Sequence, residues 1–169
     1  MQSINFSVRF EFCILLAILL LLMPLQVALS WVIAAFVHEM FHYIALRMFR
    51  VRVISLTVGF NGAVMETEQM GSRDEIICAL AGPLGSFSLL LVSTLLPYVA
   101  LFGLIQALFN LVPIYPLDGG RILRCITDRY LNAYSDRICF LVEWTIIITF
   151  SIVVIFVFRG WQIAFVALI

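Results

Sequence analysis

The stretch that decides the fold is WVIAAFVHEMFHYIAL, residues 31–46, in which three ionisable side chains lie inside an apolar run. These side chains belong to His38, Glu39 and His42. A charged side chain at membrane depth costs about 3 kcal/mol on insertion scales, so those that occur there usually mark a functional site. The stretch therefore predicts a membrane helix that carries a polar functional site.

The composition extends this interpretation to the whole chain. Of its 169 residues, 64% are hydrophobic and 12% are charged, whereas a soluble domain carries about 25% charged residues. The net charge is zero, and no basic patch with interleaved aromatic residues is present, which excludes nucleic acid as an expected partner. We expect a single integral-membrane domain over residues 1–169, without an added soluble domain.

The apolar runs predict an all-α polytopic membrane protein with about five transmembrane helices. The runs lie near residues 10–27, 28–48, 75–96, 98–113 and 138–158. The first is longer than the apolar core of a cleaved signal peptide, which has about 7–15 residues, so it is read as an uncleaved span. Residues 161–169 are too few to cross a bilayer and form an interfacial segment, or the start of a sixth span.

Arginine residues set the predicted orientation, because they gather on one side of the spans. On that side lie Arg9, Arg47, Arg50, Arg52, Arg73, Arg121, Arg124, Arg129 and Arg137. The positive-inside rule then places the N-terminus and the segments 50–75 and 119–137 in the cytoplasm. We expect an integral protein of a bacterial-type cell membrane, with its site reached from the cytoplasmic side.

A β-hairpin is predicted over residues 52–66, between the second and third spans. Residues 51–58 alternate in the manner of a strand, and Asn61-Gly62 is a strong two-residue turn signal. An isolated hairpin is only marginally stable in water, so this one should lean on the membrane or on the helices. The alternative is a surface loop.

The spacing of the two histidines points to metal chemistry. Positions i and i+4 lie on one face of a helix, so His38 and His42 can share one Zn²⁺ ion. Glu39 lies beside them and can take a proton from an activated water. A catalytic zinc needs a third protein ligand. Because the chain has two histidines, this ligand should be a carboxylate; Glu143 in the fifth span is a candidate, and Asp118, in a proline-broken segment flanked by glycines, is the stronger one.

These motifs carry a family resemblance. HEMFH, with NLVPIYPLDGG at 110–120, resembles the site-2 protease family of intramembrane zinc metalloproteases, and within it the sporulation-type (stage IV sporulation protein FB-like) members. Residues 60–64 resemble the family's re-entrant hairpin, and AGPL at 81–84 resembles its third-span motif. The resemblance implies that one zinc ion is held by three ligands and served by one catalytic base. The ligands are His38, His42 and Asp118, and the base is Glu39.

The resemblance also implies roles around the metal. Asn110 would position the loop or the substrate, and a hairpin that includes Asn61 and Gly62 would act as a substrate gate, where an unwound substrate segment adds to a strand edge. Ser86 would likewise help to position the substrate or the loop. Many relatives place an asparagine at this position and offer it to the developing oxyanion, and the Ser86 hydroxyl can also donate a hydrogen bond there. We expect neither a PDZ insertion nor a cytoplasmic nucleotide-sensing domain in this chain.

The implied function is a zinc endopeptidase that cleaves a membrane-associated substrate of the pro-sigma or anti-sigma factor type. Its partners would be that substrate and the lipid bilayer, with an inhibitory or regulatory membrane protein as a further candidate. The alternative is a catalytically weak or inactive membrane scaffold of the same fold that binds zinc or a partner. A metal-ion transporter would usually carry more intramembrane acids or histidines than this chain does.

Overall fold

The computed structural model describes residues 5–59 and 62–167, with side chains through residue 159. Within these residues the chain forms six α-helices and a three-stranded sheet, which confirms the predicted helical membrane fold with a small hairpin. In chain order the elements are β1 Asn5–Val8, α1 Phe10–Leu22, α2 Leu25–Met48, β2 Val53–Gly59, β3 Gly62–Thr67, α3 Ser72–Ser88, α4 Pro97–Asn110, α5 Asp118–Tyr130 and α6 Ser135–Ala167. A 3-10 turn extends α3 over Leu89–Val92, and another precedes α6 over Asn132–Tyr134.

Every predicted span coincides with a helix. Among the described residues, three helical segments are long and apolar enough to cross a membrane, namely Leu25–Met48, Ser72–Val92 and Asn132–Arg159. The apolar helices α1 and α4 have 13 and 14 residues, which is about 20 Å of helix against a hydrocarbon core of about 30 Å. Pro24 separates α1 from α2, and Pro97 opens α4, so both prolines lie at helix boundaries.

Residues 161–167 continue helix α6 beyond the predicted fifth span. Helix α6 runs without interruption from Ser135 to Ala167. Beyond Ser135 this stretch contains no proline, and a lone Arg159-Gly160 pair does not end a helix whose apolar pattern continues on both sides.

The hairpin prediction is confirmed, and the sheet has one strand more than predicted. Strands β2 and β3 pair antiparallel, and β1 pairs parallel with the other edge of β2. Gly62 begins β3 with φ of 91°, a backbone conformation that glycine adopts without strain. Asn61, to which the sequence assigned a role, lies outside the described residues.

Small residues dominate the contacts among α2, α3 and α4. The buried residues of these helices are Ala28, Ser30, Ala34, His38, His42, Ala45 and Leu46 from α2, Cys78, Ala79, Gly82, Pro83, Gly85 and Ser86 from α3, and Val99, Ala100, Gly103 and Ala107 from α4. Small side chains let helix backbones approach closely, which is how helices associate in lipid. At one end of this core, Val53 and Met65 of the hairpin pack against Ala45, Leu46 and Cys78. The hairpin therefore leans on the helices.

Candidate metal centre

Three ligand atoms from two distant parts of the chain meet in a near-equilateral triangle. Asp118 Oδ2 lies 3.2 Å from the Nε2 atoms of both His38 and His42, and these two nitrogens lie 3.2 Å from each other. Helix α2 supplies both imidazoles from successive turns, and the carboxylate comes from the first residue of α5. All three side chains are almost fully buried. The structure thus brings together the three residues that the sequence proposed as ligands.

The donor set fits a tetrahedral metal ion. Zinc bonds of about 2.0–2.1 Å in a tetrahedron separate the ligand atoms by about 3.3–3.4 Å, close to the triangle's edges. His42 Nδ1 is 2.7 Å from the carbonyl oxygen of Cys78. A carbonyl can only accept, so Nδ1 carries the proton of a neutral His42, and Nε2 turns its lone pair into the triangle. A cation between these atoms would accept all three lone pairs.

The second imidazole is held in the same way by a side chain. His38 Nδ1 lies 2.9 Å from Ser86 Oγ, and Ser86 is completely buried in α3. In the tautomer that leaves Nε2 available to a metal, Nδ1–H donates to the serine oxygen. Such outer partners fix the orientation and tautomer of metal-bound histidines. In the structure the Ser86 hydroxyl contacts His38, a proposed metal ligand, and its expected role in oxyanion support stays a prediction.

Gly82 on α3 leaves the space that the His42 ring occupies. A Cβ atom at this position would lie 2.1 Å from His42 Nε2, far inside van der Waals contact. One turn along, a Cβ at Gly85 would lie 2.3 Å from Cγ of Phe41. The sequence marked residues 81–84 as a family-like motif but gave Gly82 no role, because its contact with His42 crosses between helices.

A close backbone contact between the α4–α5 loop and the first turn of α5 positions Asp118 beside the histidines. A Cβ on Gly119 would lie 2.2 Å from the carbonyl oxygen of Leu111, and one on Gly120 would lie 2.4 Å from the carbonyl carbon of Ile114. The two glycines after Asp118 therefore let the first turn of α5 rest directly on the loop. Glu143, the weaker candidate for the third ligand, is not part of the triangle. Its Oε1 accepts a hydrogen bond from the Tyr115 backbone N–H at 2.9 Å.

Glu39 lies at the junction of the metal site and the hairpin. It directly follows His38 on α2, and its Oε1 lies 3.7 Å from the point where a Cβ of Gly62 would be. The backbone of Ala63 is also close to this carboxylate. Gly62 thus begins β3 beside Glu39, which is where a gating hairpin would need to be. Asn110 ends α4, and its side-chain amide donates to the carbonyl of Gln106 at 3.1 Å.

Comparisons with known proteins agree with this site. The model of peptidase family M50 matches residues 75–153. The zinc metalloprotease MJ0392 of Methanocaldococcus jannaschii is 26% identical over 149 residues, covering 76% of this chain and 44% of that protein. The chain therefore spans less than half the length of this curated relative.

A solved structure extends the agreement to the fold. The site-2 protease from Methanocaldococcus jannaschii matches with a TM-score of 0.65 and 24% identity, covering 82% of this chain and 76% of that one. The matched family implies zinc as the metal for the His-His-Asp cluster, and the three long apolar helical segments of this chain are those of an integral membrane protein. Residues 75–153 thus match peptidase family M50, and the fold is that of a site-2 protease.

Proposed function

We propose that this chain is an intramembrane zinc endopeptidase that hydrolyses a peptide bond of a membrane-associated protein. The observation that carries the proposal is the triangle of His38, His42 and Asp118 atoms with 3.2 Å edges, with Glu39 next to His38 in the sequence. A zinc ion held by these three side chains would polarise a peptide carbonyl and lower the pKa of a water molecule.

Glu39 is the proposed general base. It belongs to the same helix as both histidines and faces the start of β3, so it lies between the ligand triangle and the hairpin. In this role its carboxylate takes the proton of the attacking water and returns it to the nitrogen of the departing amine.

The hairpin supports a strand-pairing mode of substrate binding. The Val58 carbonyl accepts from Arg9 N–H at 2.8 Å, so the backbone groups of Val58 point to the β1 side of the sheet. Its antiparallel partner Ala63 must then point its own groups away from β2. No strand pairs with this side of β3 among the residues described, and Glu39 lies there. A substrate strand added to β3 would present its backbone to Glu39.

Charged pairs support access from the predicted cytoplasmic side. Arg52–Glu68 at 3.7 Å, Arg121–Glu75 at 3.6 Å and Arg124–Asp136 at 3.0 Å link residues of the arginine-rich segments, and all are at least partly exposed. The N-terminus would lie on the same side. By the resemblance to sporulation-type members, the proposed substrate is a pro-sigma or anti-sigma factor, and a regulatory membrane protein is a proposed partner.

A cleavage assay in lipid vesicles tests the proposal. The protein is reconstituted with membrane-associated pro-sigma and anti-sigma factors as probes, and cleavage and bound zinc are measured for the wild type, Glu39→Gln and Asp118→Asn. We expect wild-type cleavage, a zinc-replete Glu39→Gln variant without cleavage, and an Asp118→Asn variant that loses zinc.

Each part of the proposal fails on a different result. Normal cleavage by Glu39→Gln would contradict the assignment of Glu39 as the general base. A wild type that binds no zinc would contradict the assignment of the metal site. A wild type that binds zinc and cleaves none of the probes would favour the alternative of a zinc-binding scaffold.

A further inference from the structure

Helix α6 carries one carboxylate within the first third of its apolar run. Glu143 is the sole charged residue between Arg137 and Arg159 in the sequence. A charged group at this depth is costly, so it is expected to have a specific partner. Its partner in the structure is the backbone N–H of Tyr115, which donates to Oε1 at 2.9 Å.

This hydrogen bond completes the backbone pairing of the α4–α5 loop. The N–H groups of Leu111, Val112, Ile114 and Leu117 all donate to carbonyls of α4 or of the loop itself. The N–H of Tyr115 instead donates to a side chain of another helix. The hydrogen bond lies on the exposed surface of the protein. Where lipid covers such a surface, an unpaired N–H costs several kcal/mol, so irregular backbone at membrane depth needs such partners.

The peptide that Glu143 holds is in contact with the turn that carries the third metal ligand. A Cβ on Gly120 would lie 2.5 Å from the backbone nitrogen of Tyr115. Gly120 belongs to the first turn of α5, two residues after Asp118. A displacement of the Ile114–Tyr115 peptide therefore moves the surface on which this turn rests.

We propose that Glu143 is a positioning residue for the metal site, which it serves by holding the Ile114–Tyr115 peptide against Gly120 and so fixing Asp118. The inference rests on the zinc site proposed above. It requires the carboxylate oxygen as an acceptor at the correct reach, and the negative charge is secondary. Removing the acceptor should loosen the zinc site while the α2–α3 contact keeps both histidines in place.

Three substitutions separate reach from charge. Glu143→Gln keeps the length and an acceptor oxygen without the charge, Glu143→Asp keeps the charge but is one methylene shorter, and Glu143→Leu removes both. The control is Thr145→Val in the same helix, because the Thr145 hydroxyl donates to the Leu141 carbonyl of its own helix. The full chain is purified in detergent, and its Zn²⁺ dissociation constant is measured by competition with a chromogenic chelator.

We expect about tenfold weaker Zn²⁺ binding for Glu143→Leu and Glu143→Asp, the lower end for outer-shell partners of a metal. Glu143→Gln should stay within about threefold of the wild type, and Thr145→Val should match it. The absorption spectrum of the Co²⁺-loaded protein should change for the leucine and aspartate variants, and kcat should fall with KM unchanged. Thermal unfolding of the metal-free protein separates these effects from a general loss of stability.

Two results would overturn the inference. The first is a Glu143→Asp variant that binds Zn²⁺ with wild-type affinity, because the length of the side chain would then not matter. The second is a Glu143→Gln variant that binds Zn²⁺ as weakly as Glu143→Leu, because the negative charge would then be required. The aspartate and glutamine variants decide the question even if the leucine variant does not accumulate. A wild type that binds no Zn²⁺ would instead overturn the proposed function, whatever the Glu143 variants do.

Discussion

The α2–α3 interface and helix α6 support the metal site by different interactions. The first supports the histidines by close packing, and the second supports the loop before Asp118 by a hydrogen bond. Where α2 meets α3, buried residues are mostly small, and the His42 ring rests against Gly82. In the span Asn132–Arg159 no residue of the most apolar window is buried. Helix α6 packs chiefly against α5 and reaches the loop before Asp118 through Glu143.

The surrounding lipid explains why packing at α2–α3 and at α6 differs. Lipid is as apolar as a leucine side chain, so two helices gain little by covering large apolar surfaces against each other. Close van der Waals contact and interhelical hydrogen bonds remain as the stabilising terms. The α2–α3 interface uses contact, supplemented by hydrogen bonds to the imidazoles, whereas α6 contributes a single polar bond to the site-bearing loop. Sensitivity to substitution should therefore follow contact with the ligands and not hydrophobicity.

Gly82→Ala should have the largest effect, because it acts on a ligand through close contact. The added methyl group would overlap His42 Nε2, so the ring must move and the triangle must open. We expect zinc binding to weaken by about 100-fold and no detectable cleavage, the upper end for disrupted metal-site support. Zinc content after purification in the presence of the metal, together with the cleavage assay, measures this.

Gly85→Ala is the matched control for that substitution. Its added methyl group would meet the Phe41 ring, which is not a ligand. We expect destabilisation of about 1–3 kcal/mol, as for overpacking elsewhere, with zinc still bound. Equal zinc loss in both variants would mean that α3 matters for the helix contact in general and that Gly82 has no special relation to His42.

Ser86→Ala should have an intermediate effect, since it removes a hydrogen bond and adds no clash. His38 Nδ1 would lose its acceptor in a fully buried position. We expect about tenfold weaker zinc binding, which reduces the stabilisation by saturating zinc by about 1.4 kcal/mol. The melting temperature with and without zinc measures this difference.

The control for Ser86 is Ser88→Ala on the same helix. The Ser88 hydroxyl donates to the Gly85 carbonyl within α3, so its loss should leave zinc affinity unchanged. If Ser86→Ala also leaves zinc affinity unchanged but lowers kcat, the hydroxyl stabilises the oxyanion, which is the role that the family resemblance implies.

The features that can be predicted from the sequence are those that a short, local pattern of residues determines. The i, i+4 spacing of His38 and His42 places both rings on one helix face, and an apolar run of about 20 residues predicts a span in any context. The Asn-Gly pair predicts a hairpin turn because two adjacent residues determine it. Asp118 could be preferred over Glu143 because glycines and prolines around it signal irregular backbone at membrane depth.

The remaining features depend on contacts between distant residues. Strand β1 pairs with residues about fifty positions later, and four residues of ordinary composition give no sign of that partner. The hydrogen bond from His38 to Ser86 likewise spans 48 positions, and that from Tyr115 to Glu143 spans 28. The sequence alone does not show which residue a serine on a helix contacts, because that depends on the helix packed against it. The contacts of β1, Ser86 and Glu143 therefore follow from the tertiary structure and not from the local sequence.

A substitution on the lipid face of α6 should have the smallest effect and completes the contrast with Gly82. Phe150 is 69% exposed, so Phe150→Leu exchanges one apolar surface for another where lipid fills the space. We expect a change in unfolding free energy within about 0.5 kcal/mol, as at other sites without specific contacts, and unchanged zinc affinity. Urea unfolding in detergent and the zinc competition assay measure both. A loss above about 1 kcal/mol would contradict a lipid-facing α6, because only a packed surface loses that much on such a truncation.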